Sequence, residues 1–337
     1  MGNRISRRNF MKNSTIALGA MSMLDLATIG EAMAGPTEDK AKVFFTKDIS
    51  VDALLKIYSK INQGIVGKTG IKLSTGEPNG PNMLPIELIR GFQPHVPNSN
   101  IVECNVLYPS PRQNTKEHLE VLKTNGFDFC KVDIMDADGD IALPIPGMKE
   151  FLNSGSEENK PLYTSGTHLT EVSVGKNLLK YDSLLVYTHF KGHTMAGFGG
   201  SLKNIAIGCS SGQNGKRQIH GEGWPKGELF LERMAEGGKA ITSHFGKHIT
   251  YINVLKNISV DCDCDAHGKK PTCGDIGILG STDILAIDKA SIDLIYAMPL
   301  TDRKDMVERI ETRQGLHQLE FMKTLRMGTD RYELIHI

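Results

Sequence analysis

Long apolar runs are missing from this chain of 337 residues, and so is any surplus of one charge: 39 lysines and arginines face 39 aspartates and glutamates. The first absence argues against a membrane-spanning helix, which needs about 20 consecutive apolar residues. The second makes nucleic acid an unexpected partner, because phosphate binding draws on clustered basic side chains. No internal repeat or low-complexity tract appears. Cysteine is scarce, with six residues and no Cys-x-x-Cys pair. That excludes a disulfide-built scaffold, the paired thiols of a zinc ribbon and the cysteine run of a bacterial ferredoxin.

What is present begins with a leader. "SRRNFMK" sets Arg7 and Arg8 ahead of a mildly apolar stretch from Ser14 to Leu24, and "AMA" at Ala32–Ala34 supplies small residues for cleavage. The pattern predicts a twin-arginine signal over 1–34, with the twin-arginine export machinery as a partner and a periplasmic or extracytoplasmic destination. That route carries folded proteins, often with a cofactor already inserted. No lipobox cysteine follows. Beyond the leader, 35 basic residues face 37 acidic ones, and 35–337 is expected to have no stable membrane span. This length suffices for one large α/β domain or two lobes.

The mature sequence alternates β-rich runs with helical patterns: "KVFF" then "SVDALLKIYSKI", "TGIKLS" then "LPIELIRGF", "NIVECNVLY" then "TKEHLEVLKTNGF". This rhythm predicts an α/β fold, a mostly parallel sheet with helices on both faces. Thr115 is read as a helix N-cap, with Leu119 and Leu122 on one face and Gly126 at the stop. A Gly/Pro/Ser/Asn-rich passage from Pro144 to Pro161 is the candidate lobe boundary. Beyond it "YDSLLVYTHF" and "YINVLKNISV" read as strands, "GELFLERMAEGGKAI" and "DILAIDKASIDLIYAM" as helices. Two phosphate motifs fail. "GKT" at Gly67–Thr69 lacks the glycine five positions earlier and is followed by a strand, and "GFGGSL" has Leu202 where a dinucleotide fingerprint needs its third glycine.

The informative stretch is "THFKGHTMAGFGGSLKNIAIG", residues 188–208. A buried strand is followed by a glycine-rich loop and the start of a helix, the place where open α/β sheets bind ligands. Gly197, Gly199 and Gly200 would let backbone N–H groups face a ligand, Ser201 would cap the helix, and the free N–H groups would favour an anion. Lys203 sits in the first helical turn, where a cation opposes the helix dipole by ~0.3–1 kcal/mol. That placement would leave more of the free amine, a nucleophile or base. Taken singly, His189, His193 and Lys203 read as ordinary loop residues. Gathered with these glycines, they read as a small-molecule site, in which Asn204 is a further lining residue and Arg112 would anchor an anionic substrate.

A second cluster, "VDCDCDAHGKKPTC", brings together Cys262, Cys264, Cys273 and His267. Three thiols and an imidazole fit one soft-metal site, mononuclear or an iron-sulfur cluster with an open iron. In an oxidising compartment a disulfide such as Cys264–Cys273 is the equal alternative.

"THFKGHTMAGFGGSLKNIAIGCSSGQNGKRQIH", followed by "CDC" and "DIGILGSTDILAIDKA", resembles the domain-of-unknown-function family 362, also labelled iron-sulfur centre proteins. "GKTGIKLSTGEPNG" and "YPSPRQNTKEHLEVLKTNGF" are similar to its earlier blocks. Many relatives carry a four-cysteine insertion soon after the position of His220, where this chain reads "GEGWPKGELFLERMAEGG" and has no cysteine. The resemblance therefore implies no cluster at that place. "HTMAGFGGSLKNIAIG" with a later histidine is also similar to a block of nickel-pincer lactate racemases. His193, Lys203 and His220 are the matching positions, and the resemblance implies a cofactor on the lysine amine and proton transfer by histidine. The racemases' His-Arg pair is Pro111-Arg112 here, and proline transfers no proton.

These readings converge on an exported protein holding a metal ion, metal-organic cofactor or iron-sulfur cluster. Its chemistry would be redox or proton transfer on a small anionic molecule. The alternative is a non-catalytic metal or iron-sulfur module for electron transfer or sensing.

Overall fold

A computed structural model describes residues 40–145, 168–263, 265 and 267–337. The leader, most of the candidate boundary passage and Cys264 lie outside them. Residues 41–337 pack as one compact unit.

The core is one eight-stranded sheet. Its strands are β1 (Ala41–Thr46), β2 (Thr69–Lys72), β3 (Ser99–Glu103), β4 (Val132–Ile134), β7 (Ser183–His189), β10 (Ile249–Leu255), β11 (Gly277–Ser281) and β12 (Tyr332–His336), in the order β12-β1-β11-β10-β7-β2-β3-β4. Every neighbouring pair is parallel except the two made by β11. Strands β7 and β10 are buried at every position, which is why they read as continuous apolar runs without alternation. They lie between β2 and β11, so strands from both sides of the 144–161 passage share one sheet and no lobe division follows there.

Helices cover both faces. On one side lie α1 (Val51–Ile61), α2 (Ile86–Phe92) and α3 (Thr115–Thr124), whose Leu54, Ile57, Phe92 and Leu122 share a core with Ile71, Ile101 and Leu185. Ser50 caps α1 by accepting from the Ala53 amide at 3.1 Å, which is worth about 1 kcal/mol. Helix α3 begins one residue earlier than Thr115 suggests. Asn114 is its N-cap, accepting from the Glu117 amide at 3.0 Å, and Leu119 is exposed while His118, Val121 and Leu122 face inward.

Two short antiparallel pairs stand outside the main sheet: β5 (Asp140–Pro144) with β6 (Glu171–Gly175), and β8 (Lys191–His193) with β9 (Gly197–Gly199). On the sheet's other face are α4 (Ser201–Gly208), α5 (Gly215–His220), α6 (Glu228–Phe245), α7 (Ile284–Ala297), α8 (Leu300–Thr312) and α9 (His317–Thr324). Helix α6 buries Phe230, Leu231, Met234, Ile241 and Phe245, each worth ~1.5–3 kcal/mol. Among the described residues no helix is long and apolar enough to cross a membrane.

Candidate functional site

Strands β2, β3 and β7 run parallel, so their carboxyl ends open on the same edge of the sheet, where a cavity of about 240 Å³ has formed. Lys72 and Ser74 reach it from β2, Glu103 and Cys104 from β3, Thr188 and His189 from β7. The remaining wall comes from the β8–β9 hairpin, α4, α5 and the segment around Cys262. His193, Lys203 and His220, far apart in sequence, thus line one space.

The glycine-rich segment predicted as an open loop is this hairpin, paired Lys191 to Gly199 and His193 to Gly197. Its glycines make room for protein groups. A Cβ at Gly192 would stand 2.4 Å from the Val260 carbonyl oxygen, and one at Gly200 would stand 2.5 Å from Asp288 Oδ1. At Gly199 it would lie 3.2 Å from Lys203 Cδ, so the lysine stem packs against that glycine. Gly197 has φ +78 and abuts Gly315, a position strained for any other residue.

Helix α4 does not offer its N-terminus to a ligand, contrary to expectation. The buried Asp288 carboxylate of α7 accepts from the Ser201 amide at 2.8 Å and the Leu202 amide at 2.9 Å, while Asn253 Nδ2 donates to it at 2.9 Å. Asp288 is the internal anion that the helix dipole favours. Burial raises its pKa to about 6 against the lowering effect of those donors. Ser201 is the first helical residue after the Gly200 N-cap, and its hydroxyl bonds Asn253 Oδ1 at 2.8 Å. Asn204 turns to the β-strands, donating to the Lys72 and Tyr187 carbonyls and to Thr188 Oγ1.

His189 and Arg112 are also engaged within the protein. The His189 ring bonds Asp263 through Nδ1 at 2.9 Å and the Lys256 carbonyl through Nε2 at 2.8 Å. Asp263 also takes the Lys191 ammonium at 2.7 Å. Burial opposes ionisation of Asp263, but His189 and Lys191 outweigh it and hold the carboxyl below its ordinary range. Arg112 gives Nε and Nη2 to Glu77 at 3.0 and 2.9 Å and Nη2 to Tyr108 at 2.8 Å, with Glu103 at 3.9 Å. These contacts tie the guanidinium to carboxylates already in the wall, leaving it little to offer a substrate.

His193, Lys203 and His220 differ from this background. Among the described residues Lys203 has neither a hydrogen bond nor an ion pair, although it lines the cavity. His193 is buried; its Nδ1 accepts from the Ala196 amide at 3.0 Å and the Met195 amide at 3.3 Å, which places the proton of the neutral ring on Nε2. Burial, then Lys203 and His220, push its pKa well below the ordinary imidazole value. His220 packs between Trp224 and Phe230, with ring centroids 4.3 and 5.0 Å away, and its buried Nδ1 has no partner. Burial, then Lys203 and Lys216, lower its pKa to about 4. Two neutral imidazoles therefore line the same cavity as an unpaired amine, a set suited to moving protons on a bound anion.

The cysteine segment divides. Cys262 is buried in the cavity wall, Cys273 carries a free thiol 3.4 Å from Met298 Sδ, and His267 is exposed. Cys264, the thiol expected to pair with Cys273 or to join it on a metal, lies outside the described residues. Among the described residues no group of three or more His, Cys, Asp or Glu side chains could hold a metal ion. Asp263, Lys191, Lys216 and Asp288 escaped sequence reasoning as site residues. Each lies inside a stretch already quoted, Lys191 and Asp263 in the two candidate motifs and Lys216 and Asp288 in the family blocks, but none carried a signal of its own.

The fold is α/β, with a cavity lined by basic side chains at the carboxyl ends of strands β2, β3 and β7. The chain belongs to the family described as Domain of unknown function (DUF362), whose model matches residues 71–293. Among solved structures it is similar to the lactate racemase apoprotein from Thermoanaerobacterium thermosaccharolyticum, at 13% identity and a TM-score of 0.38 over 75% of this chain and 56% of that one. This chain thus spans little more than half of that protein's length. No curated protein matches the sequence.

Proposed function

We propose that the protein binds a small anionic molecule in this cavity and moves a proton on it. Lys203 is the anchor, and His193 and His220 are the proton carriers. The observation that supports this is the unpaired state of Lys203. Lys72 is matched by Glu103 at 3.1 Å, Arg112 by Glu77 and Lys191 by Asp263, whereas Lys203 faces the same space with no protein partner among the described residues. Holding an ammonium beside other cations is unfavourable unless an anion joins it. At 240 Å³ the space lies just below the ~300–1,000 Å³ of ordinary small-molecule pockets, so the occupant is small.

A metal-organic cofactor fits the same residues better than a bare ion does. The amine of Lys203 could carry such a group and the orphaned Nδ1 of His220 could face it, but two imidazoles without a third donor do not build a site for an ion alone. When bound, such a group would supply redox or hydride chemistry. The chain's own residues would still orient the anion and hold the proton at His193 Nε2.

Trp224, the single tryptophan of the chain, is half-exposed, lines the cavity and stacks on His220, so its fluorescence reports occupancy. Titration with malonate should change that emission saturably. The affinity should gain nothing from His220 protonation between pH 8 and 6, because that ring stays neutral down to about pH 4. A linear, non-saturating response would overturn the reading. We further propose that the site works outside the cytoplasm, as the "SRRNFMK" leader suggests. N-terminal sequencing of exported protein should begin at Gly35, and an intact N-terminus would refute this.

A further inference from the structure

Lys216, a second lysine of the cavity wall, stands in α5 one turn before His220. It is buried to 4% exposure, and its Nζ donates to the Ser210 carbonyl at 2.7 Å. No carboxylate is paired with it among the described residues. Cys104, Asp136 and Glu103 act on it electrostatically, but the Asp136 oxygens accept from the Asn105 amide at 2.9 Å and the Gly212 amide at 2.7 Å, and Glu103 is paired with Lys72 at 3.1 Å. A carbonyl takes one of the three ammonium protons and leaves two to be satisfied.

Five cationic side chains line the cavity: Lys72, Arg112, Lys191, Lys203 and Lys216. Glu103, Glu77 and Asp263 neutralise the first three. Lys203 and Lys216 remain, on two different helices, α4 and α5. His220, four residues after Lys216 on α5, lines the same cavity as both. A single negative charge would satisfy one lysine and leave the other without an anionic partner.

We propose that the ligand of this cavity is a small dianion, one negative group held by Lys203 and the other by Lys216. This rests on the anion-binding reading above and sharpens it to a substrate class: dicarboxylates or phosphate monoesters of a few carbon atoms. Cations at two points also fix the ligand's orientation in the cavity, as proton transfer at a defined atom requires.

The test compares malonate and succinate with acetate and propionate at matched ionic strength, following Trp224 emission on the full chain. The better dianion should bind at least ~10-fold tighter than its monoanion counterpart, the gain expected of one more charge-assisted contact. Lys216→Met should remove that preference while leaving the monoanions within about threefold of wild type, since they use Lys203. Lys216→Gln serves if the methionine variant does not fold, and the charge series on the unaltered protein needs no variant. Equal affinity for both charge classes overturns the dianion assignment alone. Failure of every anion to bind overturns the underlying anion-site reading as well.

Discussion

Lys203→Met lowers the affinity of the cavity for malonate by ~10- to 150-fold, the range set by the ~1.5–3 kcal/mol of a hydrogen bond to a charged group. Methionine keeps the apolar stem that packs on Gly199 and removes only the charge. Because no protein group pairs with the amine, its loss strands no carboxylate, and the midpoint of thermal unfolding should stay within a few degrees of wild type. The neighbours respond in a defined direction. Burial and the Lys203 charge together depress His193 and His220, so removing the charge raises both, and His220 should titrate above its value of about 4. Histidine resonances followed by NMR through pH 3–7 read that shift directly. Wild-type affinity in the variant, or an unmoved His220, would mean that the amine is remote from the site.

Asp263→Ala should be the most destabilising single change near the cavity, costing ~3–5 kcal/mol, as expected for a buried ion pair that loses one member. The carboxylate is 3% exposed and holds both His189 and Lys191, each buried in turn. Alanine would leave the Lys191 ammonium inside the protein without its carboxylate, still donating to the His189 carbonyl at 3.2 Å. A urea midpoint that falls at unchanged slope measures the loss. Its pH dependence has a definite sign. Both Asp263 and Glu103 have carboxyl pKa values held below the ordinary ones, burial notwithstanding, by His189 and Lys191 in one case and by Lys72 and Arg112 in the other. Their contribution is complete above the unfolded-state values and disappears as pH falls through the folded ones, between about 4.5 and about 2 for Glu103. The gap between wild type and Asp263→Ala should therefore hold from pH 8 to 5 and close on acidification below that.

The parallel core was legible because β7 and β10 are buried on both faces and read as unbroken apolar runs, and because helices with a clear apolar stripe, such as α1 and α6, separate the strands. The antiparallel placement of β11 was not legible: "GILGS" carries no mark of direction, and its register depends on neighbours that lie distant in sequence. The β8–β9 hairpin was hidden for a related reason. Its glycines suit a loop as well as a strand, and only the close approach of Val260, Asp288 and Gly315 shows what each one accommodates.

At the cavity, sequence pattern brought attention to segments that line it and mixed two kinds of residue within them. His189 and His193 stand four positions apart, yet one is tied into an ion network and the other keeps Nε2 without a protein partner among the described residues. Nothing local distinguishes them, because the distinction is made by Asp263, 74 residues after His189. Asp288 shows the same limit. It supplies the negative charge that the α4 N-terminus was expected to find in a ligand, and one of three aspartates inside "DILAIDKASIDLIYAM" gives no hint of that contact.

The central claim is that the Lys203 amine meets a guest inside the cavity. Reductive dimethylation of the folded protein, read lysine by lysine by peptide mass spectrometry with and without saturating malonate, tests it most directly. The account predicts that malonate slows modification of Lys203 at least ~10-fold, in proportion to occupancy, while the exposed Lys47 reacts unchanged. Modification of Lys203 at the same rate in both conditions would contradict it.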